Sequence, residues 1–191
     1  MRIVAGKFRG RVLKAPAGET TRPTTDRVRE AVFSAIASIA GSDLGGGTAL
    51  DAFAGSGALG LEALSRGCSH VVFAEQDRGA LGTIRDNIAT FGARDETSVV
   101  TGDVIVVAEH GGLPHQPYSL LLLDPPYRLD AARVASLVAN LAENGQLEDG
   151  AVVVWEHGLR ADIEWPEGFS ACKRKRYGTT EVDIAVFARG A

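Results

Sequence analysis

Apolar positions along this chain alternate between two periods, and the changes of period mark its elements. Val28, Ala31, Val32, Ala35, Ile36 and Ile39 recur at helical spacing and form one stripe. Pro23 disfavours helix at Arg22, and Thr24, Thr25 and Asp26 each offer an N-cap, so this helix begins close to residue 26. Short apolar runs at 49–53, 71–74, 97–101, 118–123 and 151–155 predict buried strands. Helical patterns lie between them: Leu59, Leu61, Ala63 and Leu64; then 77 to about 91, stopped by Gly92; a short helix to about 110; and 129–141, with Gly145 beyond. Strands alternating with helices imply a parallel sheet covered on both faces. Two closing strands, 169–177 and 182–188, are joined by Gly178-Thr179-Thr180 with no helix between them, which predicts an antiparallel pair. Ahead of all this, residues 2–15 place glycines at 6 and 10 between short β-prone pieces. They predict a small hairpin projecting from the body, ended by 16–18, with 41–47 as a linker. The expected fold is therefore α/β: one domain over 22–191 and a basic hairpin extension over 1–21.

Composition adds limits to this outline. At 191 residues, 45% hydrophobic and 23% charged, the chain has globular composition and length for one full core. It has no apolar run long enough to span a bilayer, and the segment after Met1 lacks a signal-peptide core. Cys68 and Cys172 form no metal-ligand spacing, so no metal is expected, and the reducing cytoplasm is the expected location. The net charge of -4 hides an asymmetry. Residues 1–30 carry eight Lys/Arg against three Asp/Glu, whereas residues 31–172 carry seven against nineteen. Lys173, Arg174, Lys175 and Arg176 then form a second basic cluster. Two basic segments flanking an acidic body form an electrostatic footprint for a polyanion.

The candidate chemistry lies where strands end. Asp51, Glu75, Asp103 and Asp124 stand at or beside the ends of four successive strands, the edge at which such sheets bind ligands. Taken singly each would serve as a helix N-cap; together they point to a ligand with hydroxyls, amines and positive charge. Gly55-Ser56-Gly57-Ala58-Leu59-Gly60 matches G-x-G-x-x-G, with Glu75 at the distance of a ribose contact. That motif serves NAD and S-adenosylmethionine alike. Asp51 favours the second, because it would repel a pyrophosphate and welcome a cationic amino acid. Asp124-Pro125-Pro126-Tyr127 favours it further. The prolines rigidify the turn, Asp124 and the Pro125 carbonyl make an acceptor pair for an exocyclic NH2, and Tyr127 offers a face for an extruded base.

These residues resemble a known family. Asp124-Pro125-Pro126-Tyr127 is the amino-methyltransferase motif of class I S-adenosylmethionine-dependent enzymes. More narrowly, the chain is similar to the RsmD family, which methylates the exocyclic N2 of one guanine in small-subunit (16S) ribosomal RNA. The likeness runs from Arg2-Ile3-Val4-Ala5-Gly6 and Arg9-Gly10-Arg11 through Arg22-Pro23-Thr24 and Asp26-Arg27-Val28-Arg29-Glu30. It continues over residues 51–67 to Asp124–Tyr127 and Tyr177-Gly178. The resemblance implies a Rossmann-like, seven-stranded, mostly parallel sheet with its last strand reversed. It implies that Ala54, Gly55 and Gly57 pass beneath the methionine part of the cofactor, with Asp51 near its ammonium. Glu75 would take the ribose, Asp103 and Val104 the adenine, and Asp124 would border both cofactor and guanine. Asp124, Pro125 and Tyr127 would hold the base and aim its amine. Arg2, Lys7, Arg9, Arg11, Arg22, Arg27, Arg29 and the 173–176 cluster would contact RNA phosphates; Arg22 and Thr24 fit equally beside the cofactor. The implied partner is 16S rRNA within a 30S subunit or assembly intermediate, met by a monomer.

Other readings share parts of this pattern. A DNA-adenine, DNA-cytosine or protein-glutamine methyltransferase would use a similar acceptor pair. An NAD oxidoreductase would use the glycine motif, and a non-catalytic RNA-binding assembly module would keep only the fold.

Overall fold

The computed structural model describes residues 1–15, 26–40, 44–159, 161 and 163–190. Helix α1 (Asp26–Ala40) leads into strand β1 (Thr48–Asp51), followed by α2 (Ala58–Ser65), β2 (His70–Glu75) and α3 (Arg78–Phe91). Then come β3 (Thr97–Thr101), α4 (Val104–Glu109), β4 (Tyr118–Leu123), α5 (Ala131–Glu143), β5 (Leu147–Gly158), β6 (Phe169–Tyr177) and β7 (Thr180–Phe187). The strands form one seven-stranded sheet in the order β3-β2-β1-β4-β5-β7-β6. Strands β1 to β5 pair in parallel; β7 inserts between β5 and β6 and runs antiparallel to both. The expected α/β sheet with a reversed last strand is therefore present. Strand order reverses between β1 and β4, which opens a crevice beyond their carboxyl ends.

Alternate residues of the buried strands feed two cores. Ala49, Val71, Phe73, Leu120 and Leu122 face α1, α2 and α3, whereas Leu50, Val72, Leu121, Leu123 and Trp155 face α4 and α5. Both faces are covered, so these strands read as continuous apolar runs. Strand β6 differs: Ser170 to Arg176 are exposed on both faces at the sheet edge, where Lys and Arg guard against edge pairing. No helix of the described residues is long and apolar enough to cross a membrane.

The N-terminal segment does not project. It makes an isolated antiparallel bridge, Arg2 to Val12, and buries Ile3, Phe8 and Leu13 in the α1–α3 core. Glu62, itself buried, accepts from the Val4 N–H (2.8 Å) and Ala5 N–H (3.1 Å) and binds Arg66 Nε at 2.6 Å. Gly6, at φ +80°, lies so close to the Ser65 carbonyl that a Cβ would stand 1.7 Å from its oxygen. Asn87 on α3 closes the arrangement, accepting from the Lys14 N–H and donating to the carbonyls of Lys14 and Ser56. The segment is thus tied to the glycine turn. The expected boundary at residue 21, the 16–18 stop and residues 41–43 of the linker lie outside the described residues.

Candidate active site

The crevice at the strand-order reversal is a cleft of about 660 Å³. It is lined by Asp51 and residues 52–56, by Glu75 after β2, by Asp103 and Val104 after β3, and by Asp124 to Arg128 after β4. All four strand-end acids and the Asp-Pro-Pro-Tyr turn therefore share one cavity.

Asp51 forms its floor, 1% exposed. One carboxylate oxygen, Oδ2, accepts from the Gly60 N–H at 2.8 Å; the other, Oδ1, has no hydrogen-bond partner among the described residues. Burial raises its carboxyl to about 7, the Gly60 bond opposes the rise, and the Glu75 charge adds to it. An acid held so awkwardly calls for a cationic or donating ligand.

The turn after β1 is built from left-handed glycines, Gly55 at φ 53° and Gly57 at φ 77°. Gly55 lines the cleft, and nothing lies within 4 Å of where its Cβ would be. Gly57 does not line the cleft: it turns the chain into α2 and faces Phe73, whose Cε1 would be 3.3 Å from a Cβ. Gly60 sets the closeness of α2 to β2, since a Cβ there would meet Phe73 Cε1 at 2.3 Å and Val71 Cγ1 at 2.8 Å. Glu75 braces the turn. Its Oε2 accepts from the Gly55 N–H (2.8 Å) and its Oε1 from the Gln76 and Asp77 N–H groups. A carboxylate retains lone pairs beyond these, so a sugar hydroxyl remains within its capacity.

Asp103 is the N-cap of α4, accepting from the Ile105 N–H at 3.0 Å, and lies 3.6 Å from Arg133 Nη2. The capping role considered for a single acid holds for it, while it still faces the cleft beside Val104. Asp124 and Pro125 are partly buried, and Tyr127 is 68% exposed. The Tyr127 ring lies over Gly158, where a Cβ would stand 3.5 Å from its Cδ1, and its hydroxyl pairs with Thr180 Oγ1 at 3.1 Å. Pro125, Pro126 and Tyr127 also wall a second cavity of about 1490 Å³, which Trp155, Trp165 and α5 line on its far side.

Several basic residues behave differently from the expected phosphate contacts. Arg29 is fully buried, within reach of Asp26 and Glu62, so it cannot meet an RNA strand from solvent; its place on a helix beside two acids draws it inward. Lys7 pairs with Glu96, and Arg11 donates to the carbonyls of Thr90 and Phe91 with its guanidinium 4.4 Å from the Phe91 ring. Arg2 donates to the Gly10 carbonyl at 3.0 Å. Arg174 is held by Asp183, which also meets His157. Arg9, Arg27, Lys173, Lys175 and Arg176 are exposed. Arg22 and Thr24 lie outside the described residues. Phe53, Ser56, Asp77, Glu156, Arg128 and Arg29 also line the cleft, although only their place beside the motifs hinted at it.

A doubly wound sheet with a reversed last strand, a glycine turn after β1 and an Asp-Pro-Pro-Tyr turn after β4 defines a class I, Rossmann-like methyltransferase fold. The family model described as conserved hypothetical protein 95 matches residues 1–186. The chain belongs to this family, that of the RsmD methyltransferases. Over 156 residues it is 36% identical to ribosomal RNA small subunit methyltransferase D of Escherichia coli (strain K12), covering 82% of this chain and 74% of that protein. The solved structure of a hypothetical protein from Thermus thermophilus, TTHA0928, superposes with a TM-score of 0.77 at 31% identity, covering 96% and 98% of the two chains. An RNA methyltransferase from Salinibacter ruber, solved in complex with S-adenosyl-L-homocysteine, shares the fold at a TM-score of 0.63 and 17% identity, covering 89% and 96%.

Proposed function

We propose that this protein transfers the methyl group of S-adenosylmethionine to the exocyclic N2 of a guanine in small-subunit (16S) rRNA. The observation that carries the reading is the shared cleft: Asp51, Gly55 and Glu75 on one side, Asp124, Pro125 and Tyr127 on the other. The cleft suits the cofactor on its own terms. Asp51 Oδ1 is a buried acceptor wanting an ammonium, Glu75 suits a ribose, and the space beside Gly55 admits a ligand against the backbone. Asp103 and Val104 would border its adenine.

When bound, S-adenosylmethionine supplies an electrophilic methyl on a sulfonium. The chain's own residues do the rest. A guanine amine is a poor nucleophile because its lone pair is delocalised into the ring. The Asp124 carboxylate and the Pro125 carbonyl accept its two hydrogens and draw it towards tetrahedral geometry, so the lone pair points along the line of attack. Tyr127 stacks on the base, braced by Gly158 and Thr180. Methylation leaves a surplus proton on the nitrogen, which the Asp124 carboxylate is placed to take. Positioning and fixed charge supply most of the rate.

The exposed cations of β6, with Arg9 and Arg27, would meet phosphates and set the register of the RNA without reading its sequence. The acceptor is 16S rRNA within a 30S subunit or assembly intermediate, and the protein acts as a monomer. Labelled S-adenosylmethionine offered with naked rRNA, unmethylated 30S subunits and DNA tests the reading. Transfer to small-subunit rRNA, weakening steeply with salt, is the expected result. Transfer to DNA alone, or tight NADH binding without S-adenosylhomocysteine binding, would reject it.

A further inference from the structure

Arg29 is the residue whose position its neighbours leave unexplained. Its side chain has no exposed surface, yet it lines the cleft with Met1, Ser56 and Leu59. Nη2 donates to the Arg2 carbonyl at 2.7 Å and to Asp26 Oδ1, and Nε lies 3.6 Å from Glu62 Oε2. Glu62 is already engaged by the Val4 and Ala5 N–H groups and by Arg66. Nη1 has no acceptor among the described residues. A buried N–H on a permanent cation is costly to leave unmet.

The same cleft holds the opposite anomaly, the partnerless Oδ1 of Asp51. A buried donor on a cation and a buried acceptor on a carboxylate, carried by two residues that line one cavity, complement a zwitterion. Phosphate diesters of RNA carry no cationic group for Asp51, so they complement only half of this pair. An α-amino acid carries both charges on one carbon. We infer that Arg29, through Nη1, binds the α-carboxylate of the methionine moiety of the cofactor, while Asp51 takes the α-ammonium. This rests on the cofactor reading above and moves Arg29 from the RNA interface to the cofactor site. It also gives the docked N-terminal segment a purpose, because the Arg2 carbonyl and Asp26 fix the guanidinium that does the binding.

Calorimetry with three ligands tests the inference without any turnover. S-adenosylhomocysteine carries both charged groups, its decarboxylated analogue S-adenosyl-3-thiopropylamine keeps only the amine, and 5′-methylthioadenosine has neither. The unmodified protein should bind S-adenosylhomocysteine about 10- to 100-fold more tightly than the amine analogue, as expected for a charge-assisted hydrogen bond. Arg29→Gln should shrink that preference to within about threefold while affinity for methylthioadenosine holds. Arg29→Lys, which keeps the charge but loses the fork, should restore part of it. Equal binding of the two charged ligands by the unmodified protein would overturn the inference before any variant is made. So would an Arg29→Gln protein that keeps the preference, or that loses methylthioadenosine in step with S-adenosylhomocysteine, which would mark a purely structural role. Failure of the unmodified protein to bind all three ligands would instead bring down the cofactor reading itself, and this inference with it.

Discussion

Asp51→Asn replaces a titrating acid on the cleft floor with a neutral amide of the same shape. In the folded protein burial raises the Asp51 carboxyl from 3.8 to about 7, whereas in the unfolded chain it titrates near 4. The folded state thus favours the protonated form. The stability this residue contributes is complete below about pH 4 and is lost as pH climbs towards 7. A difference of roughly three pH units, at about 1.4 kcal/mol each, makes roughly 4 kcal/mol by pH 8. Asparagine removes that penalty and keeps the bond from the Gly60 N–H. It also leaves an N–H where Oδ1 had no partner, at about 1–3 kcal/mol. The variant should therefore be about 1–3 kcal/mol more stable than its parent at pH 8 and less stable at pH 4. In a chain of this size that is on the order of 2–10 °C in Tm, with a change of sign between the two pH values. Thermal melts from pH 4 to 8 measure it. An ammonium ligand favours the ionised acid, so S-adenosylhomocysteine affinity in the parent should rise with pH up to about 7, and Asp51→Asn should abolish that rise along with most of the affinity. A variant melting below its parent at every pH would refute the reasoning.

Three further outcomes follow from individual contacts. Gly60→Ala should cost about 1–3 kcal/mol in a urea titration, since its methyl would press into Phe73 and Val71. Reversing Lys173, Lys175 and Arg176 to Glu should weaken rRNA binding and flatten its salt slope by about 2–3, with S-adenosylhomocysteine binding unchanged. Thr180→Val removes the partner of the Tyr127 hydroxyl; it should raise KM for rRNA by roughly fivefold, Thr180→Ser should restore it, and in a Tyr127→Phe background it should do nothing.

Much of this architecture could be read from local pattern. Glycine stops, N-cap acids and the change from strand to helix period are short-range signals, and they placed β3, β4 and β6 at their observed bounds. The four strand-end acids were likewise legible, because a parallel sheet sends all its carboxyl ends to one edge. What escaped was decided by partners far along the chain. Ile3, Phe8 and Leu13 follow neither period, since they hang from turns that fit the surface of α2 and α3. Arg29 looked like a surface charge, although Arg29, Val32, Phe33 and Ile36 share a helical stripe that is buried throughout. Its burial is tolerated because Asp26, the Arg2 carbonyl and Glu62, thirty-three residues on, surround the guanidinium. Arg11 and Lys7 were similarly claimed by residues 79 to 89 positions away. Their opposite charge and aromatic faces gave no signal at that separation.

The account stands on a cofactor methyl and a guanine amine meeting at Asp124. Single-turnover transfer to unmethylated 30S subunits by Asp124→Ala, with S-adenosylhomocysteine affinity measured on the same sample, tests this most directly. Transfer should fall on the order of a hundredfold or more, because one of the two acceptors that shape the amine is lost, while cofactor affinity, to which Asp124 is only a bordering group, falls by no more than about threefold. Transfer within a few-fold of the unmodified protein would contradict it.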